Sequence, residues 1–275
     1  MKLVRYAAND STHVGILEGS EVLQTDFADL LELIGAGADE RTLRAQASRT
    51  PLSDVRILAP IAAPGKILFC GINYRSHKEE APNAVLPSEP FFFSKLPSAV
   101  IGPGEAVVCP TPETQLDYEV ELAIVIGREA KLVRRENALD HVFGYTVVND
   151  VSARDVQFKD NQITLGKGFD TFCPMGPAIV TADQIPDPQQ LRLSTRVNGE
   201  TRQSASTDEQ LFPLAFLIEW LSRYVTLRPG DVVSTGTPAG VGLFRQPPTF
   251  LQPGDEVEVE VDAVGILRNP IVAGW

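Results

Sequence analysis

Three acidic side chains alternate with apolar ones in the segment LDYEVELAIVIG, residues 116–127. Asp117, Glu119 and Glu121 would therefore project from one face of a β-strand. Two glutamates at this spacing have Cα atoms roughly 6.6 Å apart, so they could converge on one hard divalent cation and would repel each other without it. A strand whose charged face lies in water gives the same pattern, and the spacing alone favours this alternative.

A third carboxylate follows the segment GYTVVND. Asp150 ends this strand of buried character and precedes the helix-like segment SARDVQF. Together with Glu119, Glu121 and water, it would suit octahedral Mg²⁺ or Mn²⁺ better than tetrahedral zinc. Asp150 could equally cap the following helix, because aspartate is a preferred N-cap residue. The residues leave both roles open.

Cationic and amide side chains follow this carboxylate closely. Arg154, Gln157 and Lys167 lie within SARDVQFKDNQITLGKGFD, and Lys167 lies between glycines, where a ligand could approach the backbone. Beside a carboxylate-bound metal, such cations could receive a substrate carboxylate and a carbonyl oxygen. Taken singly, each is an ordinary surface cation. A second loop, STGTPAGVG, offers Thr237 as a hydroxyl donor, and its spacing excludes a Walker or dinucleotide-binding motif.

The segment GINYRSHKEEAP supplies a candidate base. His77 and Glu80 would share one face if the segment is helical, so that the carboxylate could orient the imidazole. A histidine oriented in this way is a competent general base near neutral pH. The chain has 3 histidines, so His77 has few competitors. A lone histidine on a surface helix is the simpler alternative.

The composition is typical of a globular protein. Of the 275 residues, 43% are hydrophobic and 22% are charged, and the net charge is -12. This charge argues against nucleic acid or an anionic membrane surface as a partner, and an anionic substrate would need placed cations or a metal. We find no apolar run of membrane-spanning length, no signal-type start and no CxxC spacing. The sequence therefore predicts a cytoplasmic, reduced protein with buried cysteines.

Strand signals dominate the elements that must position these groups. Three short strands and a helix, DFADLLELIGAG with Asp26 as N-cap, predict a small N-terminal α/β accessory domain over residues 1–60. Residues 61–275 contain many strands, a hairpin signal at Asn198-Gly199 and an amphipathic helix in DEQLFPLAFLIEWLSRYV. Because helices and strands do not alternate regularly, we predict an α+β, β-rich fold with a mixed or mostly antiparallel core and peripheral helices.

Six segments, in this order, resemble the fumarylacetoacetate hydrolase family: GINYRSHKEE, PFFFSKLPSAVIGPG, DYEVELAIVIG, GYTVVNDVSARDVQ, LGKGFDTFCPMGP and DVVSTGTPAGVG. The match covers about residues 60–275, and the preceding residues resemble the small N-terminal domain of many bacterial members. The resemblance implies a catalytic domain of mixed β-sandwich or β-roll type, a homodimer, and Mg²⁺ or Mn²⁺ in the active site.

The resemblance also implies a role for each candidate residue. The metal ligands would be Glu119, Glu121 and Asp150. The catalytic groups would be His77, Glu80 and Lys167. The substrate contacts would be Arg154, Gln157 and Thr237.

These groups would support cleavage of a C–C bond in a β-diketo acid. Water deprotonated by His77 would attack the distal carbonyl of an acylpyruvate or 2,4-dioxo acid, and Lys167 would stabilise the oxyanion by roughly 3–4 kcal/mol. The products would be a carboxylic acid and pyruvate or a related 2-oxo acid. We therefore predict a metal-dependent hydrolase. An oxaloacetate-type decarboxylase, a 2-oxo dicarboxylate isomerase and a non-catalytic metal-binding relative remain as alternatives.

Overall fold

The computed structural model describes residues 1–9, 11–37, 40–45, 48–80 and 87–274. The strands of this part of the chain are β1 (Lys2–Ala8), β2 (Ser11–Glu18), β3 (Glu21–Gln24), β4 (Ser48–Pro51), β5 (Arg56–Leu58), β6 (Ile67–Cys70), β7 (Phe92–Ser94), β8 (Val100–Ile101), β9 (Val107–Cys109), β10 (Leu116–Asp117), β11 (Val120–Ile126), β12 (Val142–Asn149), β13 (Ser152–Ala153), β14 (Cys173–Thr181), β15 (Arg192–Val197), β16 (Glu200–Ser206), β17 (Val232–Ser234), β18 (Glu256–Val261) and β19 (Gly265–Ala273). The α-helices are α1 (Leu30–Ala36), α2 (Glu40–Ala45), α3 (Arg75–Glu80), α4 (Arg154–Gln157), α5 (Ile163–Lys167) and α6 (Leu214–Tyr224).

Most strands belong to one large sheet. Its order is β4-β3-β2-β1-β14-β12-β11-β17-β6-β7, with β5 beside β1 and β8 beside β14. Its strand pairs are antiparallel except β17 with β6 and β14 with β8. A second sheet has the order β16-β15-β18-β19-β9, and β10 pairs with β13. The predicted α+β, β-rich fold is confirmed. None of the described helices is both long and apolar enough to cross a membrane.

Strand β11 lies inside the large sheet, hydrogen-bonded to β12 on one side and β17 on the other. Its sequence, VELAIVI, is buried throughout, as expected of a strand covered on both faces. Leu122 on one face packs in a cluster with Val257 of the second sheet. Ala123 on the other face packs in a cluster with Leu30 of α1. Packing on both faces fixes the strand that follows Glu119.

The N-terminal residues extend the large sheet. Strand β1 pairs with β14, where Leu3 lies opposite Ile179. Leu3 also belongs to the same buried cluster as Ala123 of β11. Sheet and core are therefore continuous across residue 60, and a separate accessory domain remains a prediction.

The capping of α1 differs from the prediction. The N-cap is Asp29, not Asp26, and its side chain accepts a hydrogen bond from the N–H of Glu32. A capping carboxylate must stand two or three residues before the amide it binds, and Asp29 has that spacing. The helix ends at Ala36, and its C-cap is Gly37, whose φ of 62° is the left-handed conformation that favours glycine.

The other local predictions are confirmed. Asn198 and Gly199 have φ values of 50° and 79° and join β15 to β16, as a tight hairpin turn requires. Helix α6 begins after Pro213 and buries an apolar stripe. The cysteines Cys70, Cys109 and Cys173 are buried and free.

Candidate active site

Two neighbouring strands bring the three carboxylates together. Glu119 immediately precedes β11, Glu121 is the second residue of that strand, and Asp150 immediately follows β12. The N–H of Asp150 donates to the carbonyl of Glu119 at 2.8 Å. One carboxylate oxygen from each residue lies within 4.8 Å of the other two, and all three residues are buried. The acidic face is therefore not solvated, and Asp150 does not cap α4, whose N-cap is Ala153.

Three buried cations surround these carboxylates. Lys167 Nζ donates to Glu119 Oε2 at 2.9 Å and to Asp150 Oδ2 at 2.5 Å. Arg154 Nη2 donates to Glu119 Oε1 at 2.5 Å. Lys95 Nζ lies 2.7 Å from Asp150 Oδ1. Such pairing is required because removing an isolated charge from water costs several kcal/mol.

Burial and the cations act on the carboxylates in opposite directions. Burial by itself raises the pKa of Glu119, but the charges of Lys167 and Arg154 outweigh it and hold this pKa below its usual range. Burial raises the pKa of Glu121 well above its usual value, and the negative charges of Asp150 and Glu119 increase it further. Glu121 would therefore gain more than Glu119 from an additional positive charge.

The donor set fits a hard divalent cation. All three side chains offer oxygen, the ligand that Mg²⁺ and Mn²⁺ prefer. Asp150 Oδ1 is buried, and its contact is the ion pair with Lys95 Nζ at 2.7 Å rather than a hydrogen bond of good geometry. The nearby Lys95 ammonium instead donates to the carbonyl oxygens of Val151 and Phe172, at 2.8 and 2.5 Å. Because each carboxylate oxygen has two lone-pair sites, Asp150 Oδ1 can still bind a metal ion beside this lysine.

A histidine and a glutamate form the second polar group of the site. His77 Nδ1 and Glu80 Oε1 are 2.6 Å apart on α3, as their spacing predicted. Glu80 Oε2 also accepts from the N–H of Gly240 at 2.7 Å. Both carboxylate oxygens are thus engaged, and the imidazole is held in one orientation. This arrangement is suited to proton transfer by the other ring nitrogen of His77.

A cavity of about 280 Å³ brings most of the predicted residues to one place. The predicted residues in its wall are His77, Glu119, Arg154, Gln157, Lys167 and Thr237. Apolar side chains form much of the remaining wall, among them Phe91, Phe93, Phe158, Leu243 and Phe244. The other three predicted residues do not line the cavity but lie next to residues that do. Glu80 contacts His77, Asp150 contacts Lys167, and Glu121 is close to Glu119. A small cavity with a few convergent charges is suited to a small organic acid.

Comparison with known proteins shows the family of this chain. Residues 66–272 match the family model described as fumarylacetoacetate (FAA) hydrolase, C-terminal. The chain belongs to the fumarylacetoacetate hydrolase family. Residues 1–60 match a second model, described as Rv2993c-like, N-terminal.

Similar proteins from several organisms are enzymes of this family. The chain is 48% identical over 234 residues to the mitochondrial oxaloacetate tautomerase FAHD2A of Homo sapiens, which covers 84% of this chain and 74% of that protein. It resembles the structure of a fumarylacetoacetate hydrolase from Exiguobacterium antarcticum at 40% identity, with a TM-score of 0.91 over 99% of both chains. It also resembles the maleylpyruvate hydrolase of Sphingobium sp. SYK-6, in complex with manganese(II) and pyruvate, at 32% identity and a TM-score of 0.84 over 100% of both chains. This chain is likewise an enzyme of the fumarylacetoacetate hydrolase family.

Asp117, to which the sequence assigned no role, organises one side of this hydrolase-family site. Its buried carboxylate accepts from Arg154 Nε at 2.9 Å. It also accepts from the N–H groups of Gly242 and Leu243, at 2.7 and 3.0 Å. Arg154 in turn donates to Gln157 Oε1 at 3.0 Å. Asp117 therefore fixes both a cation of the cavity and the loop that forms its apolar wall.

Lys95 was missed by sequence reasoning. Its side chain is fully buried against Asp150, and burial lowers its pKa while the carboxylate opposes that change. Lys95 directly follows β7, and strand alternation places it on the same face as Phe93, which lines the cavity. The two-residue spacing from Phe93 was the available sequence signal. It does not distinguish a buried lysine from an exposed lysine at the end of a strand.

The predicted donor loop acts partly on the enzyme's own carboxylates. Ser234 Oγ donates to Glu121 Oε2 at 2.5 Å, and the N–H of Gly236 donates to the same oxygen at 2.8 Å. Thr237 lines the cavity, and its Oγ1 accepts from Gln203 Nε2 at 2.9 Å. The loop therefore orients Glu121 and presents one hydroxyl to the cavity.

Proposed function

We propose that this enzyme binds Mg²⁺ or Mn²⁺ and interconverts the keto and enol forms of oxaloacetate or a closely related 2-oxo dicarboxylic acid. The observation behind the proposal is the meeting of two groups at one small cavity: the cluster of Glu119, Glu121 and Asp150, and the oriented His77. The 48% identity to a human oxaloacetate tautomerase supports this choice of reaction.

Arg154 and Lys167 would bind the substrate. Both side chains are almost fully buried, and both line the cavity. Guanidinium and ammonium groups form strong, charge-assisted hydrogen bonds with carboxylates. The amide of Gln157 and the hydroxyl of Thr237 add neutral hydrogen-bonding groups. A divalent ion on the three carboxylates would supply the positive charge that makes C3 of a 2-oxo acid acidic.

His77 would move the proton. Its Nδ1 is engaged by Glu80, which leaves Nε2 to take a proton from C3 and deliver it to the enolate oxygen, or to carry it in the reverse direction. The aromatic walls at Phe93 and Phe244 would limit access of water to the reacting atoms. Keto–enol exchange consumes no water, so a cavity that limits access of water is compatible with proton transfer by His77.

Hydrolytic cleavage of an acylpyruvate or 2,4-dioxo acid to pyruvate and a carboxylic acid is the second candidate. Here His77 would take its proton from water, and Lys167 would stabilise the oxyanion formed at the attacked carbonyl. The similarity to a maleylpyruvate hydrolase over the whole chain supports this candidate. Decarboxylation of oxaloacetate would use the same binding groups without an attacking water.

Parallel assays with the purified enzyme and Mg²⁺ or Mn²⁺ distinguish these reactions. Oxaloacetate keto–enol exchange is followed by enol absorbance, and pyruvate release is measured from oxaloacetate, maleylpyruvate and acylpyruvates. We expect metal-dependent exchange, abolished by EDTA and restored by metal. Rapid pyruvate release from a diketo acid with no acceleration of exchange would replace the tautomerase with the hydrolase.

The variant His77→Ala tests the proton-transfer role. Loss of a general base typically lowers turnover by roughly 10²–10⁴-fold, and metal affinity should be unchanged. His141→Ala is the matched control, since His141 lies at the opposite end of β12 from Asp150. Full activity of His77→Ala would remove this residue from the mechanism.

Two further proposals concern the whole molecule. We propose a homodimer, which light scattering after size-exclusion chromatography would detect as twice the chain mass of 29.9 kDa. The cytoplasmic location remains a prediction, which fractionation of the native cell would test.

A further inference from the structure

A second cavity, of about 380 Å³, lies behind the histidine–glutamate pair. Glu80 and Phe244 both line it, and Phe244 also lines the active-site cavity. Because Glu80 Oε1 is 2.6 Å from His77 Nδ1, the two cavities are separated by little more than these side chains. A ligand in the second cavity would therefore touch the back of the catalytic wall.

Two arginines converge in this second cavity. Arg202 comes from β16, and Arg245 follows the short helical turn Gly242–Phe244. Arg202 Nη1 is 3.0 Å, and Arg245 Nη2 is 4.0 Å, from the same carboxylate oxygen, Oε1 of Glu200. Their charged ends therefore lie close together and could share one anion.

The backbone fixes this convergence. Gly240 has φ of +106°, and a Cβ at this position would collide with the carbonyl oxygen of Arg202. The loop that leads to Arg245 thus lies directly against β16. The Tyr118 hydroxyl donates to the carbonyl of Gly240 at 3.0 Å and holds the same loop from beneath.

The Glu200 carboxylate already occupies the position between the two arginines that another carboxylate could take. Its side chain is 63% exposed, whereas Arg202 and Arg245 are 17% and 31% exposed. An exposed carboxylate gains little from an ion pair, so it can be displaced readily. Glu80 also lines this cavity, but it cannot take the place of Glu200 beside the two arginines, because its carboxylate oxygens are engaged by His77 and Gly240.

We propose that Arg202 and Arg245 form a second carboxylate-binding site, which receives one end of a small dicarboxylic acid when the Glu200 side chain moves away. Guanidinium groups are well suited to this task, because their fork of N–H donors matches a carboxylate. The ligand could be the far end of a substrate held in the active-site cavity or a separate dicarboxylate. The chemistry is the same for both, and neither depends on which reaction the enzyme catalyses.

Calorimetry with glutarate, a dicarboxylate without a 2-oxo group, tests this site in the full-length, Mg²⁺-loaded enzyme. We expect Arg202→Gln and Arg245→Gln each to weaken glutarate binding at least about tenfold, since each removes a charge-assisted contact. Glu200→Gln should instead tighten binding, because it removes the competing carboxylate. Arg49→Gln, which removes a distant exposed arginine paired with Glu21, is the matched control and should bind like the parent enzyme.

Several outcomes would overturn the proposal. They are no glutarate binding at millimolar concentration, equal affinity in all variants, weaker binding in Glu200→Gln, or an equal loss in Arg49→Gln. Arg245→Lys guards against a folding defect, because it keeps the charge but loses the fork and should bind with intermediate affinity. Circular dichroism melting of each variant would verify the fold.

Steady-state kinetics identify the source of the carboxylate. If it is the far end of the substrate, Arg245→Gln raises KM for a dicarboxylic 2-oxo acid but not for a monocarboxylic one. If it is a separate ligand, both KM values remain unchanged while glutarate affinity still falls. Since glutarate binding requires no turnover, failure of the proposed reaction and failure of this site are distinguishable.

Discussion

Residues 116–122 and residues 256–261 both alternate acidic and apolar side chains, but they lie in different surroundings. Glu119 and Glu121 are buried, with 4% and 1% of their surface exposed. The side chains of Glu258 and Glu260 retain 14% and 31% exposure. The same local pattern therefore contributes to a candidate metal site at one strand and forms a half-buried face paired with arginines on the other.

The neighbours of each strand explain the difference. Both strands lie between two other strands, but β11 also has packed residues on both faces, so acids at its start are enclosed by the chain around them. Strand β18 fully buries only its valines, and Glu258 and Glu260 on its other face are half-buried. Its acids meet cross-strand arginines, since Glu258 lies opposite Arg196 of β15 and Arg268 of β19.

The largest effect on stability is expected at Asp117. Asp117→Asn would leave the buried Arg154 guanidinium without one of its two carboxylates. Breaking a buried ion pair from one side typically costs about 3–5 kcal/mol. Urea denaturation should show a fall of this size in the free energy of unfolding. Glu260→Gln, on β18, should cost at most about 1 kcal/mol. Equal losses of unfolding free energy in Asp117→Asn and Glu260→Gln would show that burial does not distinguish the acids of the two segments.

The next effect concerns metal affinity. Glu119→Gln keeps the shape of the side chain but removes its charge, so Mg²⁺ should bind less tightly. The loss should exceed the roughly 10–100-fold that is typical of a residue supporting a metal ligand. Titration calorimetry measures it, with Glu258→Gln as the control on the other strand. Unchanged affinity in Glu119→Gln would remove this residue from the ligand set.

The smallest effect is the pH dependence of β18. Burial tends to raise the pKa of Glu258, but hydrogen bonds from Arg268 and Arg196 outweigh it and lower this pKa. A lowered pKa stabilises the fold above the unfolded value, about 4.3, and this contribution is lost as pH falls through the folded value. The stability difference between the parent and Glu258→Gln should therefore be below about 1 kcal/mol near pH 7 and shrink in acid.

Salt provides a second measurement of the same contribution. Screening at 1 M salt shortens the Debye length to about 3 Å, so the advantage of Glu258 over glutamine should decrease. The cost of Asp117→Asn should change much less, because that pair is buried. A difference for Glu258→Gln that stayed constant across pH and salt would show that its arginine pairs are not the cause.

Much of the fold follows from local signals. Alternation and turn chemistry predict β1 to β3, the hairpin at Asn198-Gly199 and α6, because these depend on residues close together in the chain. The pairing of β1 with β14 has no such signal, since its residues are about 180 positions apart. For the same reason, the continuity of the sheet across residue 60 is absent from the sequence pattern.

The sequence likewise predicted some features of the candidate site and not others. The sequence identified the acids, the cations and the His77–Glu80 spacing, since each depends on residue type and short separation. It did not identify Lys95 as a partner of Asp150, nor Asp117 as a partner of Arg154 and of the loop at Gly242, because these contacts join distant segments. Arg202 and Arg245 had no sequence signal for the same reason.

The sequence alone determined which chemical groups this enzyme has and the order of the segments that contain them. In LDYEVELAIVIG the period of two also predicted that the carboxylates share one face, although Asp117 lies in β10 and the strand that contains Glu121 begins only at Val120. Only the tertiary structure decided that this face is enclosed and paired with Arg154 and Lys167. The physical reason is that burial and ion pairing depend on segments far away in the chain, whereas strand periodicity depends on adjacent residues.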